Sequence, residues 1–296
     1  MRFQKRTEDG LYAVLSVVVL VVFVIIGAAG YVIYTNNKNK ANAEVRWSFN
    51  EKKKEWIVKQ GTAPACKDPL VFDYDPLDLS SVESIGMPGT YINKSYKVHG
   101  GIRLPMSSKG QTDIKLPMDA TLVGLKRYYD GQTTDMQHLV SFETDCGIKI
   151  YFDHLNVLTP ALQKLAASTP APALNDTRSD PNDAPPRTKF KAGESIATGV
   201  GFPSNDNYGF DFGVVDYRQR NEISKNSKWA ELHQEYAPSE WYGVCWLDML
   251  PGAEKAKTLI KQQTDTRRTQ KFVSDYCKEG DYTTLDFNNG QPADRY

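Results

Sequence analysis

Histidine is scarce in this 296-residue chain, with four copies, and cysteine equally so, while the 36 basic and 36 acidic residues leave no formal net charge. Without a bulk basic field, nothing directs the chain to nucleic acid. The cysteines (Cys66, Cys146, Cys245 and Cys277) include no CxxC pair, which excludes a zinc-ribbon pattern. G-x-S-x-G, the P-loop, the dinucleotide fingerprint and H-E-x-x-H are all missing. "GVGFPSNDNYG" contains glycine but leads into no helical pattern, so it is no phosphate cradle. No internal repeat is evident. Long hydrophobic runs are absent too, with one exception.

That exception is Leu11–Tyr34, 24 residues without a charge. At ~1.5 Å rise per residue it is long enough to cross a ~30 Å hydrocarbon core. Tyr12, Tyr31 and Tyr34 lie near its ends, where interfacial aromatics sit. Small residues at 27–30 fit a signal-peptide cleavage site, but the apolar run continues past them, so an uncleaved transmembrane helix is expected. Basic residues flank the span on both sides and do not by themselves orient it. A large downstream domain and an even cysteine count place the bulk of the chain outside the cytoplasm, on a single-pass anchor in the cell membrane. The expected organisation is a short tail (1–10), the span (11–34), a polar stalk (35–60) and a lead-in segment (61–95). A β domain (96–220) with a loop insertion at 160–188 and an aromatic-rich extension (221–296) follow.

The β domain rests on short apolar runs at regular spacing, several alternating with period two and separated by turn signals. They predict a mainly β fold, an antiparallel sandwich or barrel-like sheet. Within the insertion, "TPALQKLAAS" predicts a short helix and the Pro/Asp/Asn-rich stretch after it a mobile loop. Ala256, Leu259 and Ile260 fall on one face of a helix predicted over 253–271. Cys245 and Cys277 flank that helix, so its return is expected to join them, with Cys66–Cys146 as the second disulfide. Four cysteines allow three connectivities.

The β segments follow an order: "HGGI" at 99–102, "IKLPMDATLVGL", "GIKIYFDHLNVL", "FKAGESIATGVGFPS" and "NYGFDFGVVDY". This resembles the lysostaphin-like (LytM-type) zinc metallopeptidases, over about residues 96–218. The resemblance implies a peptidoglycan endopeptidase fold with landmarks H-x-x-x-D, Y-x-H-L and H-x-H. His99 matches the first zinc ligand and His154 the histidine of Y-x-H-L. Arg103 stands where the aspartate ligand belongs, Gly209 where the first histidine of H-x-H belongs, and Asp211 where its metal-binding histidine belongs.

The chemistry of those replacements is plain. Catalytic zinc needs three protein ligands and an open position. His99 and Asp211 can each supply one, but an arginine stays protonated and has no lone pair. The expectation is a pseudoenzyme without catalytic residues and without a metal cofactor, Arg103 and Asp211 forming an ion pair in the metal's place. Degenerate members of such a family act as scaffolds or regulators, so peptidoglycan or a wall hydrolase is the expected partner. Two other readings stay open. One is an active endopeptidase with a displaced zinc, its third ligand drawn from His138 or Asp153. The other is a wall- or polysaccharide-binding surface carried by Tyr208, Phe210, Trp229 and Trp241. For His138 and His233, packing or hydrogen bonding is the expected role.

Overall fold

The computed structural model describes residues 44–92, 95–129, 134–169, 185–260 and 274–277. Two compact units divide the chain. The larger comprises Trp47–Ile57 and Ala63–Tyr296; of the smaller, the described residues are 44–46 and 58–62. The predicted membrane span, at 11–34, lies outside the described residues. No helix among the described residues is long and apolar enough to cross a membrane.

Period-two alternation builds the main sheet. In β10 (Ile148–Leu158), Ile148, Ile150 and Phe152 are buried, while Lys149 and Tyr151 between them point to the opposite face. Antiparallel register carries that pattern across the sheet. Phe152 pairs with Phe212 of β13 (Gly209–Asp216) and Val140 of β9 (Met136–Glu143); Phe210 pairs with Ile102 of β6 (Gly100–Arg103). Leu122 and Leu125 of β8 (Ala120–Tyr129) pair with Phe142 and Val140. These apolar residues make the principal core. The other face of β6 and β13 presents His99, Gly101 and Arg103 against Asp211 and Gly209.

Nine strands form this sheet. Its continuous path runs β11 (Thr188–Phe190), β8, β9, β10, β13, β6, β3 (Ser84–Ile85). β12 (Ser195–Val200) branches from β10 and pairs in turn with β7 (Gln111–Lys115). The ends of the path, β11 and β3, do not pair with each other, so the expected mainly antiparallel β class holds but the described sheet closes into no barrel. Branching occurs where β10 changes partner: Asp153 faces Asp211 of β13, Leu155 faces Val200 of β12. His154 between them takes a left-handed backbone, φ 63°.

Three expected boundaries are corrected. Residues 46–60, expected in a stalk, form the hairpin β1 (Arg46–Asn50) and β2 (Glu55–Gln60). The Lys-rich run is its turn, with the Asn50 side chain accepting from the amides of Lys52 and Lys53. Trp56 stacks on Tyr217 at 3.7 Å and Phe49 meets Tyr242 edge-on. The lead-in segment is no appendage either, since Phe72, Leu77, Leu79 and Ile85 are buried in the principal core. Nor is position 220 a boundary. Val215 of β13 and Tyr217 just after it share a second core with Trp229, Trp241 and Tyr242. The insertion 160–188 begins as helix α1 (Pro160–Ala167), with Pro at its first turn, and ends in β11.

Beyond the sheet come helices α2 (Ser227–Leu232), α3 (Ala237–Glu240) and α4 (Ala253–Thr258). Asn226 caps α2 by accepting from the amides of Lys228 and Trp229. The predicted helix 253–271 is α4 in its described part, and Ala256, Leu259 and Ile260 pack on the core as expected. Both expected disulfides are present, Cys66–Cys146 and Cys245–Cys277. The second holds segment 274–277 in place. There the Ser274 hydroxyl donates to the Pro88 carbonyl, the Asp275 amide to Gly89, and the Trp229 indole to the Asp275 carboxylate at 3.0 Å.

Candidate functional site

On the face opposite the core, four sequence-predicted residues lie on two neighbouring strands. Register sets Arg103 opposite Gly209 and Gly101 opposite Asp211, with His99 just before β6. The bulge at His154 turns that side chain towards the same place. His99 Nδ1 lies 3.4 Å from Asp211 Oδ2, and His154 Nε2 lies 3.3 Å from the same oxygen. The three side chains keep 17–23% of their surface exposed, so the cluster is reachable from solvent.

His154 is held from behind. The Tyr128 hydroxyl sits 2.5 Å from Asp153 Oδ1 and 2.9 Å from His154 Nδ1. Asp153 Oδ1 also accepts from the His154 amide at 2.9 Å, and the His154 carbonyl accepts from Gly201. A non-glycine residue with left-handed φ is strained by about 1–2 kcal/mol, and this cage of bonds holds it there. Tyr128 and Asp153 thus position His154. Tyr128 carries no motif signature; its only trace in the sequence is a place on a strand two residues after Lys126.

Electrostatics sort the cluster. Burial pushes the His99 imidazole down, against the pull of the Asp211 charge, so His99 is neutral near pH 7. Burial acts to raise the Asp211 carboxyl. It is outweighed by the positive charge His99 carries when protonated, by the His154 hydrogen bond and charge, and by the Arg103 charge, which hold that carboxyl well below the usual range. At neutral pH the first of these is absent, because His99 is neutral. Asp211 is a carboxylate there in any case, since even the ordinary aspartate range lies well below neutral pH.

The expected Arg103–Asp211 ion pair does not form. Arg103 is exposed and donates instead to Asn207 Oδ1 at 2.5 Å. The reason is register: Arg103 faces Gly209, and Asp211 lies two residues along the strand, ~7 Å away. Asp211 is already shared by two imidazoles. Gly209 makes the Arg103 conformation possible. A Cβ at 209 would lie 2.7 Å from Arg103 Cδ and 3.0 Å from its Nη1. Any larger side chain at 209, histidine included, would compete with Arg103 for that space.

His99, His154 and Asp211 are of types that ligate zinc, but Arg103, at the position of the pattern's aspartate, is not. Arg103 offers no lone pair. Both histidines address a single oxygen of the only ligand-type carboxylate between them. The candidates for a displaced third ligand are engaged elsewhere: His138 is buried with Nδ1 2.9 Å from the Leu155 carbonyl, and Asp153 Oδ1 is held by Tyr128. Among the described residues no group of three or more His, Cys, Asp or Glu is arranged to hold a metal ion.

The four aromatics expected to line a binding surface form no exposed platform. Phe210 and Trp229 are completely buried, while Tyr208 and Trp241 show only 8% of their surface. Phe210 packs in the principal core and Trp229 stacks on His233. His233 is itself buried beside the Glu240 carboxylate, with 2.5 Å between Nδ1 and Oε2.

No family model matches the chain, and no curated protein matches it. Among solved structures it is similar to the NMR solution structure of lysostaphin, at 12% sequence identity and a TM-score of 0.31. That match covers 56% of this chain and 55% of the lysostaphin chain, so this chain spans just over half of that chain's length.

Proposed function

We propose that the chain is a membrane-anchored, extracytoplasmic pseudo-peptidase that binds, scaffolds or regulates in cell-wall hydrolysis, with no zinc and no peptidase activity of its own. One observation carries the reading: Arg103 lies across Gly209 on the face where His99, His154 and Asp211 meet. The landmarks resembling the lysostaphin-like pattern are therefore neighbours in space, and two of the three replaced positions, Arg103 and Gly209, fit each other sterically. A guanidinium beside the cluster disfavours a divalent cation by charge. The reading places the lipid bilayer at residues 11–34 and the two disulfide-bonded loops in an oxidising compartment.

The chain purified in detergent is assayed for bound zinc, for cleavage of cross-linked wall peptide, and for co-sedimentation with isolated peptidoglycan. The reading expects retention on peptidoglycan or capture of a wall hydrolase, with neither zinc nor cleavage. Zinc together with cleavage that His99→Ala abolishes would establish instead an endopeptidase with a displaced metal.

A further inference from the structure

Along β13 the His–Asp–His cluster is walled at both ends, and the floor beside it is bare. Residues 209, 211 and 213 share one face of that strand. The Arg103 side chain lies over Gly209, where a Cβ would sit 2.7 Å from its Cδ. Tyr151, the cross-strand partner of Gly213, lays its ring over that glycine, so that a Cβ there would collide with it. Between the two walls stands Asp211, opposite Gly101 of β6. Chain neighbours aside, a Cβ at Gly101 would meet one atom within 4 Å among the described residues, Asp211 Oδ1 at 3.5 Å. The space over Gly101 is therefore open and faced by that oxygen, and Gly101 itself is partly exposed to solvent.

Two opposite charges bordering this recess have unspent capacity. Both imidazoles address Oδ2 of Asp211, and Oδ1 accepts from nothing among the described residues. Arg103 is exposed and gives only Nη1, to Asn207, so its Nε and Nη2 have no acceptor among the described residues. Lying over Gly209, the guanidinium is about two strand residues, ~7 Å, from Asp211 and does not pair with it. A ligand can supply the missing partner of each: an ammonium for Asp211 Oδ1 and a carboxylate for Arg103, through charge-assisted hydrogen bonds of ~2.8 Å. Two such bonds take up most of the gap, so the ligand's charges must lie close together, as on the α-carbon of an amino acid. The walls limit its size. Arg103 and Tyr151 cover positions four residues apart, ~13 Å along the strand, and a polymer cannot run along β13 through both.

We propose that this recess binds a free α-amino acid with a small side chain, its ammonium on Asp211 Oδ1 and its carboxylate on Arg103. The inference rests on the metal-free reading of the site proposed above and names its ligand. Titration calorimetry on the full chain in detergent, near pH 7, provides the test, with D-alanine, L-alanine, alaninamide and N-acetylalanine as probes. At least one enantiomer of alanine is expected to bind about tenfold or more tightly than alaninamide, which lacks the carboxylate, and than N-acetylalanine, which lacks the ammonium. R103Q should weaken alanine about tenfold and leave alaninamide unchanged, because only alanine loses a contact. G101A places a methyl group in the open space at ordinary contact distance, so it should fold, as melting curves check, and bind alanine about tenfold less tightly. Zinc content is measured first on the same preparation. Stoichiometric zinc would defeat the proposed function and this inference with it. Three results in a zinc-free chain would overturn this inference alone: no binding of either enantiomer at about 10 mM, alanine bound no better than both singly charged analogues, or wild-type affinity in folded R103Q and G101A.

Discussion

Gly209 and His154 are the two residues on which the candidate site depends, for opposite reasons. Gly209 is needed because the Arg103 side chain and the Ile102 carbonyl would both lie 2.7 Å or closer to a side chain there. Gly209→Ala is therefore expected to destabilise by about 1–3 kcal/mol, read from urea unfolding, and Arg103→Ala should recover part of that loss in the double variant. The recovery is partial because the Ile102 carbonyl stays. Full additivity would show that Arg103 does not occupy the space over Gly209. His154, in contrast, sits at a φ of 63° that a Cβ disfavours. His154→Gly should be more stable than His154→Ala by about 1 kcal/mol in thermal melts, since only the alanine keeps the strain. Equal stabilities would remove the bulge from the account.

A third residue gives a pH dependence. Burial first, then the Arg127 charge, pushes the His138 imidazole down, against its hydrogen bond to the Leu155 carbonyl. Between its lowered folded value and the ordinary histidine range the unfolded chain binds more protons. Stability contributed by this group is therefore full above the ordinary histidine range and lost as pH falls through it. The melting temperature should drop between about pH 7 and pH 5, and His138→Gln should flatten that slope. A steeper slope in the variant would contradict the assignment.

At the scale of elements, alternation was legible and register was not. "GIKIYFDHL" reads as a strand because every second residue is apolar, and Ile148, Ile150 and Phe152 are indeed buried in the core. The same text cannot say that β10 changes partner at His154, because a bulge depends on two other strands. That His99, His154 and Asp211 meet was readable from the order of motifs. The Arg103–Asp211 pair was misread because a two-residue offset in pairing puts glycine opposite each of them. Tyr128 went unnoticed because a buried strand tyrosine looks like packing until its hydroxyl is seen between Asp153 and His154. The β1–β2 hairpin was hidden by its lysines, while the informative residues were Trp47, Phe49 and Trp56. Trp56 is only half buried, yet it stacks on Tyr217 and donates to the Pro238 carbonyl at 3.0 Å. Trp56→Ala should cost about 1–3 kcal/mol and open the hairpin to proteolysis at the Lys52–Lys54 turn. Unchanged cleavage at that turn would mean that the hairpin does not depend on this contact.

At the largest scale, Cys66–Cys146 and Cys245–Cys277 tie the segments at 66 and 277 to the principal core. Cys245–Cys277 closes a loop of 32 residues, for which chain-entropy arguments allow about 4 kcal/mol. Its removal should loosen Trp229 through the lost Asp275 contact and lower the melting temperature well before the main sheet is affected. The function proposed above requires that the face bearing His99, His154, Asp211 and Arg103 hold no zinc. Zinc titration of the purified chain beside the Arg103→Asp, Gly209→His, Asp211→His triple variant, which returns the ligand types of the metallopeptidase pattern, tests it most directly. The account predicts no saturable zinc binding in the natural chain and a gain of zinc affinity in the folded variant. Stoichiometric zinc in the natural chain, lost on His99→Ala, would contradict it.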